Sequence, residues 1–204
     1  MNEKLLSQFD RITDGLANDG ISVIDDFLSN EEVRDILQTD AFKSGLLRFK
    51  KAGIGKSQAK QINESIRGDY IQWIDPANVV PPIHLYLNRL SKLISFLNQS
   101  LFLSLKGLEM HMTIYPTGSF YNRHLDQFKK DDHRKLSIIC YLNENWKEDE
   151  GGQLRVYFTE QHKDYFPTAG KLVCFRSDLL EHEVLPATRQ RLSLTGWLLD
   201  VTID

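Results

Sequence analysis

The strand-forming residues of this chain lie almost entirely in its second half, and that asymmetry limits the folds open to it. From residue 107 onward, LEMHMTIY, KLSIICYLN, GGQLRVYF, GKLVCFR, HEVLP and RLSLTGWLL are short β-rich runs separated by turn signals. Convincing helices come only before them. Leu5, Leu6, Phe9, Ile12 and Leu16 fall at helical spacing, and Gly20 ends that helix ahead of a strand-like ISVID. Ser29-x-x-Glu32 reads as a capping box for a second helix that carries Val33, Ile36 and Leu37 inward. Pro81-Pro82 opens a long helix to about Phe102, with Leu85, Leu87, Leu90, Ile94, Leu97 and Leu101 on one broad face. R-G-D-Y-I-Q-W-I alternates like a strand, and the basic, glycine-containing residues 48–66 read as a loop. Helices first and strands later predict an α+β fold, with a closed or two-sheet β core backed by N-terminal helices. Residues 1–105 form the supporting region and 106–204 the core. No repeat or flexible linker separates them, so they form one globular unit.

Composition narrows the function classes. At 204 residues and 41% apolar content, the chain has ample material for a packed core. A net charge of −3 counts against a nucleic-acid partner. No segment approaches the roughly 18 apolar residues that span a bilayer, so no membrane partner is expected. The start, MNEKLLSQFDRITDG, lacks the basic segment and small-residue cleavage site of a signal peptide and reads as a helix. Cys140 and Cys174 sit inside apolar strand-like runs with no C-x-x-C, as reduced core residues of a cytoplasmic protein do. The sequence sets no oligomeric state.

The chemistry concentrates in His124, Asp126, His182 and Arg191. His124 and Asp126 stand two apart in H-L-D, so an extended segment projects both into one pocket. His182 follows the strand-like GKLVCFRS and a short turn, DLLE, and can arrive from a neighbouring strand. Two imidazoles and one carboxylate cap one face of an octahedral iron(II) ion and leave three positions open. An H-x-D pair alone is common, and the competing reading makes these ordinary polar residues. The chain has six histidines; His84, His111, His133 and His162 lack comparable surroundings and read as structural or solvated. Arg191 tips the balance. It shares one face of the alternating RLSLTGW strand with Ser193, Thr195 and Trp197, where a guanidinium is costly unless an anion meets it. Arg189 has the same parity but sits nearer the loop, where it faces solvent.

These residues resemble an iron(II)- and 2-oxoglutarate-dependent oxygenase of the prolyl 4-hydroxylase type, similar to the hypoxia-factor prolyl hydroxylases and their bacterial relatives. The marks are I-R-G-D-Y-I-Q-W-I, Y-P-T-G-S-F-Y-N-R-H-L-D, I-C-Y-L-N-E-N-W, G-G-Q-L-R and H-E-V-L-P-A-T-R-Q-R-L-S-L-T-G-W, in order from Ile66 to Trp197. The resemblance implies a double-stranded β-helix (jelly-roll) core. It implies that His124, Asp126 and His182 are iron ligands and that Arg191 and Tyr141 hold the distal carboxylate of 2-oxoglutarate. Tyr115, Thr195, Leu154 and Val184 then line the co-substrate pocket. Arg67 and Asp69 lie near the substrate entrance, where they orient the preceding loop or bind peptide; a plain surface ion pair is the alternative. In the family the region matching 48–66 closes over the polypeptide, and Lys50, Lys51, Lys56 and Lys60 would favour an acidic partner surface.

The implied activity consumes O2 and 2-oxoglutarate at Fe(II), releases succinate and CO2, and hydroxylates C4 of a proline in an exposed loop of a protein substrate. Ascorbate is the implied reductant. Halogenating relatives carry a small residue where this chain has Asp126, which favours hydroxylation. Three rivals stand: the same chemistry on a small molecule or free amino acid, a nucleic-acid demethylase, and a binding protein that kept the jelly roll. The charged QFKKDDHRK segment departs from the family pattern. Only seven residues follow Trp197, so the substrate groove is expected to differ from that of the animal enzymes.

Overall fold

The computed structural model describes residues 3–53, 63, 65–127 and 131–202. Helix α1 (Glu3–Asp19) turns Phe9, Ile12 and Leu16 inward and leaves Leu6 on its exposed side. Strand β1 (Ile21–Ile24) follows directly. Helix α2 (Asn30–Leu37) starts with the expected capping box. The backbone N–H of Glu32 donates to Ser29 Oγ at 3.2 Å, and the N–H of Ser29 donates to the Glu32 carboxylate at 2.8 Å.

Short helix α3 (Asp40–Lys43) and a 3-10 turn lead into β2 (Lys50–Lys51), which pairs with β3 (Tyr70–Trp73). The opening of the segment read as a loop is therefore ordered, pinned where Ala52 N–H donates to Asp69 O at 2.9 Å. Residues 54–62 and 64, which include Lys56 and Lys60, lie outside the described residues.

Helix α4 (Pro81–Leu101) begins at the two prolines. Its buried face is Ile83, Tyr86, Leu87, Leu90, Leu93 and Leu97. Leu85, expected inside, is 52% exposed, because the stripe is centred a residue or two off the one drawn from leucines alone.

The remaining strands are β4 (Gly107–Tyr115), β5 (Tyr121–His124), β6 (Arg134–Tyr141), β7 (Leu154–Tyr157), β8 (His162–Tyr165), β9 (Leu172–Arg176), β10 (His182–Val184) and β11 (Arg191–Leu199). They form two antiparallel sheets, a seven-stranded one in the order β1-β9-β6-β11-β4-β3-β2 and a four-stranded one in the order β5-β10-β7-β8. This is the expected α+β, double-stranded β-helix arrangement. Strands β1 to β3, from the N-terminal region, complete the larger sheet.

Strand alternation explains how the layers divide. Leu136, Ile138 and Cys140 of β6, Leu194 and Leu198 of β11, and Met110, Met112 and Ile114 of β4 pack with α1 and α4 in one core. The intervening residues turn the other way. Ile139, Tyr141, Val173 and Phe175 form a second core with Leu154, Val156 and Val184 of the smaller sheet. Gly196 makes the close pairing of β11 with β4 possible, since a Cβ there would lie 2.0 Å from Glu109 O and 2.3 Å from Met110 Sδ. Cys140 and Cys174 are both buried and unpaired, and their strand partners are other residues.

Candidate metal and anion site

Between the sheets lies a cavity of about 570 Å³. Register orders its main wall row by row. Tyr115 pairs with Arg191 at one end; Ile71, Thr113, Ser193 and Tyr141 form the next row. Trp73, His111, Thr195 and Ile139 follow, and Glu109, Trp197, Ser137 and Phe175 close the other end. All lie on the inner face because each strand contributes every second residue.

His124 ends β5, Asp126 lies two residues on, and His182 opens β10 directly opposite His124. Strand pairing thus brings together residues 58 apart in sequence. The ligand-type atoms of the three lie within 4.8 Å of one another. His124 Nδ1 is 2.7 Å from Asn122 O, and His182 Nδ1 is 3.2 Å from Leu180 O. A carbonyl only accepts, so each Nδ1 carries a proton and each Nε2 is the ring atom turned toward Asp126. Those nitrogens lie 3.4 Å (His124) and 3.6 Å (His182) from the Asp126 carboxylate oxygens. Burial pushes His182 down to about 4, against the pull of Asp126, so the ring is neutral at pH 7. Burial alone would raise the Asp126 carboxyl, but His182, His124 and a hydrogen bond from Ser137 hold it well below the usual range. Two ring nitrogens and a carboxylate thus converge on one point, where a cation can lie between them. The donor set therefore fits a divalent metal such as Fe(II).

The trio is clamped from behind. The His124 ring stacks on that of Tyr121 at 3.7 Å, and the Arg67 guanidinium lies 4.2 Å from the centre of the same Tyr121 ring. Phe175 meets His182 edge-on.

Arg191 sits at the opposite end of the cavity, only 2% exposed, with its guanidinium 4.9 Å from the rings of both Tyr115 and Tyr141. Its Nε donates to Gly152 O at 3.0 Å, but its Nη2 has no partner. The Tyr141 hydroxyl is buried and unpartnered too, and burial raises its pKa. A buried cation and a buried hydroxyl, both left open, fit one carboxylate. Gly152 allows this approach at φ +71°; a Cβ there would come within 2.9 Å of Ala187 and Trp146. Thr195, Leu154, Val184 and Tyr115 also line the cavity. Arg189 instead pairs with Glu150 at 3.3 Å, half-exposed, and lies over Trp146.

Two expectations change. Arg67 and Asp69 are no surface pair: the carboxylate is 1% exposed and takes two hydrogen bonds from Arg67, at 2.7 and 2.6 Å. Both line the cavity, because Gly68 N–H and Asn122 N–H zip this segment onto β5. His111, grouped with the unremarkable histidines, lines the same cavity. It is 3% exposed, bonded through Nδ1 to Thr113 at 2.8 Å and flanked by Trp73 and Trp197. Its parity with Tyr115 on β4 is the signal that would have placed it there.

The fold and its relatives agree with this geometry. Residues 110–199 match the family profile of the 2OG-Fe(II) oxygenase superfamily. A prolyl-4-hydroxylase from Pseudomonas putida superposes with a TM-score of 0.84 at 41% identity, over 94% of this chain and 98% of that one. A prolyl hydroxylase from Trichoplax adhaerens, solved with a hypoxia inducible factor peptide fragment, gives 0.86 at 28% identity, over 97% of this chain and 91% of that one. Egl nine homolog 1 of Homo sapiens is 33% identical over 89% of this chain and 44% of its own length. The hypoxia-inducible factor prolyl hydroxylase of Caenorhabditis elegans is 30% identical over 89% of this chain and 27% of its own. The chain thus spans less than half the length of these two curated relatives. By its match to the bacterial enzyme over nearly the whole of both chains, the protein belongs to the 2OG-Fe(II) oxygenase superfamily, among its prolyl hydroxylases.

Proposed function

We propose that this protein is an Fe(II)- and 2-oxoglutarate-dependent dioxygenase that hydroxylates C4 of a prolyl residue in an exposed loop of a protein substrate. The observation that carries the reading is one cavity with complementary ends: three metal-ligand groups converging at one, and at the other an open guanidinium with the buried, unpartnered Tyr141 hydroxyl behind it. A dicarboxylic acid bridges such ends. His124, Asp126 and His182 hold Fe(II); Arg191 and Tyr141 hold the far carboxylate of 2-oxoglutarate. Tyr115, Leu154 and Val184 supply apolar walls, with Thr195 beside the chain of the co-substrate. When bound, iron and co-substrate together supply the oxidation of an unactivated C–H bond, with release of succinate and CO2. The protein contributes position, dry walls and fixed charge.

Arg67 and Asp69 act by orientation: their buried pair and the Arg67–Tyr121–His124 stack tie the segment before β3 to a metal-holding strand. Ascorbate is the reductant we assign. Residues 106–204 carry the catalytic core and 1–105 support it. The cytoplasm is the compartment we assign, a reading supported by two buried, unpaired thiols. Among the described residues no helix is long and apolar enough to cross a membrane.

The test is turnover of the purified chain with Fe(II), 2-oxoglutarate, O2 and a proline-bearing peptide. Oxygen-dependent succinate release, with a gain of one oxygen atom on the peptide's proline, is expected. Capture of lysate proteins on an Asp126→Ala variant then identifies the natural substrate. Succinate release with small molecules alone would move the substrate class; none under any condition would overturn the reading.

A further inference from the structure

Asp126 is held by a second pair of side chains that the chemistry above does not use. Ser137 Oγ donates to Asp126 Oδ2 at 2.6 Å, and Ser177 Oγ lies 2.8 Å from Ser137 Oγ. Both serines are buried, at 1% and 0% exposure. A hydroxyl has one proton. Ser137 spends its proton on the carboxylate, so Ser177 donates in the contact between them, and the chain runs Ser177 to Ser137 to Asp126. The main chain reinforces it. Ser177 O accepts from Gln127 N–H and Ser177 N–H donates to Lys135 O, both at 3.1 Å, which binds the residue after Asp126 to the strand that carries Ser137.

A carboxylate offers two oxygens, and a metal readily takes both. An octahedral ion with three single-atom protein ligands keeps three places, two for a chelating co-substrate and one for oxygen. A two-oxygen carboxylate would leave only two. Each Asp126 oxygen lies near one ring nitrogen, Oδ1 at 3.4 Å from His124 Nε2 and Oδ2 at 3.6 Å from His182 Nε2; what separates them is that Oδ2 alone receives the short charge-assisted bond from Ser137.

We infer that Ser137 and Ser177 are positioning residues that hold Asp126 as a one-oxygen ligand through Oδ1 and so preserve the third open place on the metal. This rests on the metal-site reading above. It assigns two buried serines a role toward the metal, where each would otherwise be only a polar residue inside a β sandwich.

The test is titration of the apoprotein with Mn(II), followed by the electron paramagnetic resonance of the free ion, and the visible absorption of the Co(II) form. Ser137→Ala should weaken Mn(II) binding by about 10- to 100-fold, the usual cost of losing a partner behind a metal ligand. It should also change the Co(II) spectrum, because Oδ2 is freed to turn onto the metal. Ser137→Thr, which keeps the hydroxyl, should restore both. Ser177→Ala should fall between the parent and Ser137→Ala, and it carries the test should Ser137→Ala fail to fold. A parent chain that binds no Mn(II) overturns the metal site and this inference with it. A parent that binds, with Ser137→Ala or its Ser177→Ala substitute matching it in affinity and spectrum, overturns this inference alone.

Discussion

Arg191 shows how one side chain constrains chemistry. Its Nε is fixed on Gly152 O while its Nη2 lies buried without a protein partner, so it is aimed before any ligand arrives. Removing it would leave a carboxylate unpaired, a loss on the order of 3 kcal/mol for a buried charge pair. Arg191→Ala should therefore raise the 2-oxoglutarate concentration needed for half-maximal turnover by roughly 100-fold. A larger effect from Arg189→Ala would show that the wrong arginine has been assigned. Asp126→Ala should abolish turnover while circular dichroism shows the fold intact.

His111 gives a second residue-scale expectation. Burial pushes it from 6.5 down to about 4, so between those values the unfolded chain binds the proton that the folded chain refuses. Its contribution is complete above pH 6.5 and is lost as pH falls toward 4, by up to about 3 kcal/mol. His111→Gln should flatten the pH dependence of urea unfolding in that window, with His182 keeping its own share. An unchanged slope would refute this account. The sequence shows His124, Asp126, His182 and Arg191 because motif and parity mark them. It hides His111, Ser137 and Ser177, whose residue types are ordinary in strands and which gain meaning only from what lies opposite.

At the scale of the element, the long strands are legible because alternation writes both of their faces. On β11, Arg191, Thr195 and Trp197 line the cavity and Leu194 and Leu198 face the helices. The short edge strands are not legible. HKDY of β8 has no apolar alternation, since its pairing with β7 is made by backbone rather than by burial of a face, and Lys50–Lys51 of β2 is two residues of charge. The stripe on α4 is misplaced by a residue or two because Ile83 and Tyr86 carry burial that leucine counting misses. The close pairing of β11 with β4 depends on a missing side chain. Gly196→Ala would put a carbon 2.0 Å from Glu109 O, so the two strands must part. A loss of about 1–3 kcal/mol or more is expected in urea unfolding, with the cavity opened as well. A variant as stable as the parent would mean that the sheet yields more easily than its packing implies.

For the molecule as a whole, a cation at the proposed His124, Asp126 and His182 site would bind the folded chain and not the unfolded one. Binding should stabilise the folded chain by about 2.7 kcal/mol when Mn(II) stands at one hundred times its dissociation constant. For a chain of this length that corresponds to a rise in melting temperature of roughly 5–10 °C. A chelator should reverse it and Asp126→Ala should not show it; no shift in the parent would argue against the site.

The division of the larger sheet into two faces has one more consequence, and it concerns sulfur. Cys140, Cys174, Met110 and Met112 all belong to the helix-facing core, on the side of the sheet away from the cavity. Thiols and thioethers are the groups a stray oxidant attacks first. Here each is screened from the reaction chamber by the thickness of a hydrogen-bonded sheet, and burial pushes the Cys174 thiol up to about 12, so almost none is the vulnerable thiolate. Damage from misfired turnover would then mark Tyr121 or Trp197 in the chamber wall, and the helical side would come through chemically unmarked.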